Sequence, residues 1–199
     1  AEHEGLDVDG LLKGIYRYSA GDDSGLGDTP PRCQLLGSGV GMPWALEAQE
    51  LLREDWGVVA DVWSVTSWSE LRREAMACDE HRFLHPEEER RTPYVTQALE
   101  GSVGPIVAVS DYMKQVQDQI RPWIPEEFSA LGTDGFGFSD TRAAARRYFH
   151  VDGPSMAVRA LQMLADRGWV AEDAPGKAAE KYRLLDISAG NSGNAGGDA

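Results

Sequence analysis

Two glycine-rich segments resemble, in residue type and spacing, sequence motifs that bind phosphate groups. The first, GSGVG at residues 37–41, follows an apolar run and precedes a helical pattern. A dinucleotide fingerprint requires a third glycine three positions after the second, and Met42 stands there. Asp61 lies inside the apolar run 58–65 rather than at its end, where an acidic residue would meet a ribose. A tight strand-to-helix turn explains this segment better, and nucleotide binding stays the alternative.

The second segment, GTDGFG at residues 132–137, contains a Thr-Asp-Gly triplet close to the Gly-Asp-Gly that begins the thiamine diphosphate motif. That motif requires an Asn roughly thirty residues later to complete the Mg²⁺ site that binds the diphosphate. The only asparagines of the chain, Asn191 and Asn194, stand far beyond that spacing. We therefore expect a turn here, in which glycines adopt positive φ and Asp134 bonds local backbone.

A third cluster, CDEHRFLH at residues 78–85, has the spacing of metal ligands, with His81 and His85 on one helical face. Zinc sites usually take four ligands, and the sequence offers no second Cys/His cluster, so no metal ligand is predicted and the role of the cluster stays open. The chain lacks a Gly-x-Ser-x-Gly elbow, and its four histidines leave few general bases. His150 stands at a predicted helix end, where an imidazole meets the dipole favourably. The sequence predicts no catalytic residue.

The elements that position these segments follow from apolar periodicity. Short apolar runs predict four strands, at residues 33–36, 58–65, 106–109 and 128–131. Amphipathic stretches predict helices that begin near residues 43, 67, 110, 139 and 155. Ser67 and Glu70 form a capping box, and the predicted caps of the next two helices are Ser110 or Asp111 and Ser139 or Asp140. Gly168 is predicted to end the last helix. The alternation predicts an α/β fold, a mainly parallel sheet with helices on both faces. Loops after parallel strands gather at one edge, so the candidate loops are 37–41, 110–111 and 132–139.

The two ends of the chain differ from this middle part. Residues 7–18 predict a short helix, and residues 21–31 are polar and glycine-rich, so residues 1–31 are expected to form an N-terminal helix and linker. The α/β domain is expected over residues 32–187. Residues 188–199 are rich in Gly, Asn, Ser and Ala, which predicts a disordered tail.

Composition excludes several classes of protein. With 42% hydrophobic and 26% charged residues, the 199-residue chain is typical of a globular domain. A net charge of −14 repels nucleic acid and anionic membrane surfaces, so neither is an expected partner. No apolar run approaches the ~18 residues that span a bilayer. Two cysteines cannot form a disulfide framework, and we expect a cytoplasmic location.

Several motifs occur together in one order: LLGSG from residue 35, VWSVTS from 62, PY at 93, SDYMK from 110 and LGTDGFG from 131. This order and wording resemble the C-terminal domain of the homodimeric pyruvate dehydrogenase E1 component, over about residues 5–185. The resemblance implies a transketolase-type C-terminal domain, a mostly parallel five-stranded sheet flanked by helices. The glycine-rich tail after Leu185 departs from the family pattern.

The resemblance also implies what the intact enzyme does. With thiamine diphosphate and Mg²⁺, that family decarboxylates pyruvate and passes the two-carbon unit to the lipoyl group of the E2 acyltransferase. Its cofactor-binding and catalytic residues belong to an N-terminal and a middle domain, so none of them falls on this chain. This chain would then be structural, extending the homodimer and bracing the thiamine-binding domains, and inactive alone.

We expect the segment 132–139 to face the rest of such an enzyme. The candidate interface residues are Trp123, Asp134, Gly135, Phe136, Phe138 and Asp140. If the backbone at Gly135 needs positive φ, replacing it by Val in the full-length protein should disturb assembly. The alternatives are a free-standing small-molecule or nucleotide-binding module that uses loop 37–41, and a domain of another transketolase-group enzyme.

Overall fold

The structure is a computed structural model that describes residues 6–192, and its central element is a five-stranded sheet. In chain order the strands are β1 (Ile15–Ser19), β2 (Arg32–Gly37), β3 (Val59–Val65), β4 (Ile106–Val109) and β5 (Phe128–Leu131). They lie in the order β1-β3-β2-β4-β5, with β1 antiparallel to β3 and the other neighbouring pairs parallel. The predicted α/β class and mainly parallel sheet are confirmed.

Within residues 6–192, eight α-helices surround the sheet. In chain order they are α1 (Val8–Lys13), α2 (Gly41–Trp56), α3 (Trp68–Leu84), α4 (Tyr94–Leu99), α5 (Lys114–Asp118), α6 (Arg142–Tyr148), α7 (Gly153–Asp166) and α8 (Ala174–Lys181). Two 3₁₀ helices, Arg121–Trp123 and Ile187–Ser192, complete the described chain.

Each face of the sheet has its own core. Leu35 of β2 lies opposite Val62 of β3 and Val107 of β4, and these side chains pack with α2 and α7. The next residues along the strands, among them Leu36 and Trp63, face α3 and α4. All four residues of β4 are fully buried, as a continuous apolar run in a sheet covered on both faces requires.

The helix expected over residues 7–18 is correct only as far as Lys13. Asp7 caps α1 by accepting a hydrogen bond from the Gly10 N–H at 2.9 Å, and Gly14 ends the helix at φ 108°, in the left-handed region. Residues 15–19 instead form β1, whose Ile15 side chain is fully buried. Because β1 pairs with β3, residues 15–19 belong to the same sheet as the α/β domain that was expected to begin at residue 32.

The disordered tail expected from residue 188 is wrong over residues 188–192, which belong to a 3₁₀ helix against α6. Asp186 begins it by accepting from the Ser188 N–H at 2.9 Å, and Ala189 is buried. The contact with α6 is so close that a β-carbon at Gly190 would lie 2.5 Å from the Ala143 carbonyl oxygen. Residues 193–199 of the predicted tail lie outside the described residues.

Some helix starts also differ from expectation. Ser67 caps α3 as predicted, accepting from the Glu70 N–H at 3.1 Å. In contrast, α5 begins at Lys114 rather than after Ser110, and Thr141 caps α6 instead of Ser139 or Asp140. The sequence interpretation contained neither α4 nor α8.

Candidate functional site

The three loops predicted to gather at the carboxyl edge of the sheet do so, because β2, β4 and β5 are parallel neighbours. The first loop contacts the end of β4, where the Ser38 N–H donates to the Val109 carbonyl oxygen at 3.2 Å. A β-carbon at Gly41 would lie 2.8 Å from the same oxygen. Packing against β4 therefore explains the glycine at residue 41, and no phosphate-binding role is needed to explain it.

The second and third loops are joined by hydrogen bonds. The Thr133 N–H donates to the Tyr112 carbonyl oxygen at 2.9 Å, and the Thr133 hydroxyl donates to the Asp111 carbonyl oxygen at 2.6 Å. Asp134 accepts from the Lys114 N–H at 3.0 Å, at the start of α5. The expectation that Asp134 bonds local backbone is therefore wrong, since the backbone that its side chain bonds belongs to the neighbouring loop and not to its own turn.

Gly135 adopts the positive φ that was expected of the glycines in this turn. Its φ is +105°, in the left-handed region, and a β-carbon there would meet no atom within 4 Å. Glycine is therefore favoured at residue 135 because of the backbone conformation, and not because a side chain would collide with a neighbouring atom. It turns the chain so that Phe136 points outward, 96% exposed.

Apolar side chains stand exposed on each of the three loops. We name the set formed by Val40, Tyr112, Met113 and Phe136 the edge patch. Each is at least half exposed, and Phe136 almost completely. Grouped exposed apolar residues, with aromatics among them, are typical of surfaces that contact another protein surface.

Phe138 and Asp140 have contacts inside the chain. The Phe138 ring stacks on Tyr148 of α6, with ring centroids 4.4 Å apart and planes 10° from parallel. Asp140 accepts from the Thr141 N–H at 2.7 Å, next to the residue that caps α6. The stacking of Phe138 on Tyr148 holds the segment that carries Phe136 against α6.

The structure does not bring Trp123 together with the other candidate interface residues. Trp123 ends the 3₁₀ helix that precedes β5, so it lies toward the amino end of that strand. Its Nε1–H donates to the Asp79 carboxylate at 2.8 Å, and its carbonyl oxygen accepts from the Thr96 hydroxyl at 2.6 Å. Half-buried against α3 and α4, it joins elements of this chain.

Reactive side chains are held in unreactive states or occupied by other contacts. Burial raises the pKa of the Cys33 thiol to about 12, and the nearby Asp61 adds to the shift. Burial also raises the pKa of Cys78 to about 11, with a further contribution from Glu74. Asp61, the acidic residue of the nucleotide alternative, accepts from the Gly21 N–H at 2.8 Å. Neither thiol is a nucleophile at neutral pH.

Sequence reasoning missed a groove of about 400 Å³ at the opposite edge of the sheet. Arg17, Arg32 and Asp61 line it, beside the loop that precedes β4. Gln34 fixes its floor, donating to the Val103 carbonyl oxygen at 3.0 Å and accepting from the Trp63 indole at 2.8 Å. Its charged residues come from three different strands, β1, β2 and β3, so no local motif indicates the groove.

Fold and site together define an α/β domain whose loop edge presents apolar side chains rather than a set of catalytic groups. The model of the transketolase-like TK C-terminal domain family matches residues 14–152, which begins one residue before β1. The chain therefore belongs to the transketolase-like C-terminal domain family.

Among curated proteins, the chain is similar to pyruvate dehydrogenase E1 components. That of Mycolicibacterium smegmatis is 53% identical over 95% of this chain, and that of Mycobacterium tuberculosis 49% over 94%. The Escherichia coli K12 protein is 40% identical over 88% of the chain. The chain spans about a fifth of the length of these relatives, 20%, 20% and 19% respectively. The resemblance found in the sequence is confirmed.

Solved structures of transketolase share the fold. A Pichia stipitis transketolase in complex with a sugar phosphate superposes with a TM-score of 0.53 and 17% identity, over 84% of this chain and 20% of that chain. At this identity the likeness concerns the fold alone. Among the helices of residues 6–192, none is both long and apolar enough to cross a bilayer.

Proposed function

We propose that this chain is the C-terminal domain of a thiamine diphosphate-dependent pyruvate dehydrogenase E1 subunit. The intact enzyme would decarboxylate pyruvate and transfer the acetyl unit to the lipoyl group of an E2 acyltransferase. The observation that carries this assignment is 53% identity to a curated E1 component over 95% of the chain. The alternative of another transketolase-group enzyme has less support, since the Pichia stipitis transketolase is 17% identical to this chain.

The role proposed for this domain is to hold the other parts of the enzyme through its carboxyl edge. The edge patch would pack against the N-terminal and middle thiamine-binding domains, or against the partner subunit of a homodimer. Removing a phenylalanine side chain from water contributes about 1.5–3 kcal/mol. Phe136, at 96% exposure, has nearly all of that free energy still to gain.

Thiamine diphosphate and Mg²⁺ would be bound by other domains, because the residues of this chain do not fit them. The Thr-Asp-Gly triplet is the segment most like the cofactor motif. Its Thr133 hydroxyl and one Asp134 carboxylate oxygen already hydrogen-bond the loop before α5. We assign neither residue to a diphosphate or a magnesium ion.

The proposed compartment is the cytoplasm, where thiols stay reduced. Cys33 and Cys78 support this, since both are free thiols and both are buried. Nucleic acid and membrane surfaces are not proposed as partners, since the net charge is −14.

The first experiment asks whether the chain is catalytic by itself. The purified 199-residue chain is supplied with pyruvate, thiamine diphosphate and Mg²⁺, and release of CO₂ is measured. We expect no release above the protein-free control. Saturable release of CO₂ would overturn the assignment of the chemistry to other domains.

The second experiment tests the edge patch in the full-length protein. Phe136→Asp should weaken dimer assembly by about tenfold to a hundredfold, the equivalent of 1.5–3 kcal/mol. Leu185→Asp is the matched control, since Leu185 is also an apolar residue and is 100% exposed outside the edge patch. Assembly is measured by sedimentation velocity. Equal behaviour of the two variants would remove the support for this interface.

A further inference from the structure

Metal-ligating side chains meet where α3 ends, far from the edge patch in the sequence. His85 is the residue that follows α3, and the chain then turns back at Pro86. The ligand atoms of His85, Glu87 and Glu88 all lie within 4.8 Å of one another. His85 Nδ1 is 3.9 Å from Glu87 Oε1 and 3.8 Å from Glu88 Oε1.

His81, one helical turn before His85, orients the carboxylate between them. Its Nε2 lies 3.0 Å from Glu88 Oε2, while the other oxygen of the same carboxylate faces His85. The two imidazole rings are close, with centroids 5.0 Å apart. A second residue that holds a ligating carboxylate in place is a regular feature of protein metal sites.

The local backbone explains why these residues converge. The His85 N–H donates to the His81 carbonyl oxygen at 2.8 Å, which closes the last turn of α3. The Glu88 N–H then donates to the His85 carbonyl oxygen at 3.1 Å, which closes a turn around Pro86. Two successive turns therefore return Glu87 and Glu88 to the side of the histidines.

The distances from His85 Nδ1 to the two carboxylates are closer to those between ligands of one metal ion than to those of direct hydrogen bonds. Separations of 3.8 and 3.9 Å are too long for His85 Nδ1 to hydrogen-bond either carboxylate. A tetrahedral zinc ion, with its ligands at about 2.0–2.2 Å, holds ligand atoms about 3.4 Å apart. The two separations from His85 exceed this value by about 0.4 and 0.5 Å, and all three ligand atoms lie within 4.8 Å of one another. Binding therefore requires the exposed side chains to approach one another by up to about 1.4 Å.

We propose that His85 Nδ1 and the carboxylates of Glu87 and Glu88 bind a divalent transition-metal ion of the zinc type, with His81 as the positioning residue for Glu88. Water would complete the coordination, since the three ligands come from one exposed side. The imidazole favours zinc, nickel or copper over magnesium or calcium, which prefer oxygen ligands alone. This site is independent of the function proposed above.

The test is calorimetric titration of the EDTA-treated 199-residue chain with zinc chloride, with circular dichroism to verify folding. We expect one equivalent of zinc to bind. His85→Gln and Glu88→Gln should each weaken binding at least tenfold, and His81→Gln less, by about threefold. His150→Asn is the control: that exposed histidine lies outside the cluster and has φ 57°, which Asn tolerates.

Cobalt supplies a second readout, because its visible spectrum reports ligand number. The wild-type chain should give the intense bands of a four-coordinate ion, and His85→Gln should lose them. Binding that is unchanged in His85→Gln and Glu88→Gln would overturn the proposal. Equal affinity for calcium and zinc would also overturn the proposal, since non-specific attraction of divalent cations to an acidic surface would then explain the binding.

Discussion

Three glycines of one segment provide a sharp test of how the carboxyl edge is built. A β-carbon at Gly132 would lie 2.5 Å from the Tyr112 carbonyl oxygen and 2.8 Å from the Lys114 nitrogen. Both atoms are backbone, so the loop before α5 must move if Gly132→Ala is made. Overpacking of this kind costs about 1–3 kcal/mol. Loss of the hydrogen bond from Thr133 to Tyr112 adds about 1 kcal/mol.

The other two glycines separate conformation from packing. Gly135→Ala meets no atom within 4 Å but retains φ +105°, which costs about 1–2 kcal/mol. The stiffer unfolded chain returns about 0.4–1 kcal/mol, so the net loss is about 1 kcal/mol. Gly137 has neither a near atom nor a left-handed φ. Gly137→Ala should therefore stabilise the chain by about 0.4–1 kcal/mol.

Urea unfolding of the three variants, monitored by tryptophan fluorescence, gives their free energies of unfolding, and thermal unfolding gives their Tm. In a chain of this size, 1 kcal/mol corresponds to about 2–4 °C in Tm. We therefore expect Gly132→Ala to melt about 5–15 °C below the wild type, Gly135→Ala about 2–4 °C below, and Gly137→Ala slightly above. A larger loss for Gly135→Ala than for Gly132→Ala would refute the contact between the two loops.

Three further outcomes are expected. Tyr182→Phe should cost about 1–3 kcal/mol in urea unfolding, because it leaves the Trp56 indole and an Asp55 oxygen without their hydrogen bonds of 2.9 and 2.8 Å. Burial acts to raise the pKa of Asp55, but hydrogen bonds from Lys181 and Tyr182 outweigh it and hold the pKa below the ordinary 3.8. The contribution of Asp55 to stability is therefore present above pH 3.8 and lost as pH falls through the lower folded value, so the stabilities of wild type and Asp55→Asn should converge as the pH is lowered below 3.8. With a pKa of about 11 against an ordinary 9.0, Cys78 should react with a thiol reagent at pH 8 about a hundredfold more slowly than a free cysteine, and Glu74→Gln should speed it.

Local patterns were sufficient wherever the structure depends on nearest neighbours. The run 106–109 predicted a strand covered on both faces, and all four residues of β4 are buried. Ser67 accepts from the Glu70 N–H as the capping box predicted, although the Glu70 carboxylate pairs with Arg73 instead of returning to the cap. Gly168 lies at φ 68° just after the C-cap of α7, as predicted. These features depend on a few adjacent residues, so the sequence contains them completely.

Elements that depend on distant partners were missed. β1 is an edge strand that exists through pairing with β3, and its apolar residues have a spacing that also suits a helix. The end of the described chain is similar, since Ala189 is buried and a β-carbon at Gly190 would lie 2.5 Å from the Ala143 carbonyl oxygen of α6. No window of local sequence contains both partners of such contacts, which is why the expected tail began too early.

The candidate site was predicted in position but not in detail. Topology placed the segment 132–139 at the carboxyl edge, and it lies there. Topology could not indicate that Phe138 packs on α6 while Phe136 remains exposed, because neighbouring aromatics look equivalent in sequence. Trp123 was predicted as an interface residue, yet its indole donates to Asp79 within the chain.

The way polar and apolar groups are divided at the carboxyl edge argues for contact rather than catalysis. Thr133 and Asp134, the residues most like a cofactor motif, use their side chains to join two loops. The cysteines are buried with raised pKa values, and His81 and His85 lie at the end of α3. The exposed groups of the edge patch are apolar, and apolar groups gain free energy only when another surface covers them. At this edge the polar side chains of Thr133 and Asp134 hydrogen-bond within the chain, while the aromatic side chains of Tyr112 and Phe136 are exposed. Such a surface supports the proposed role of holding a neighbouring domain.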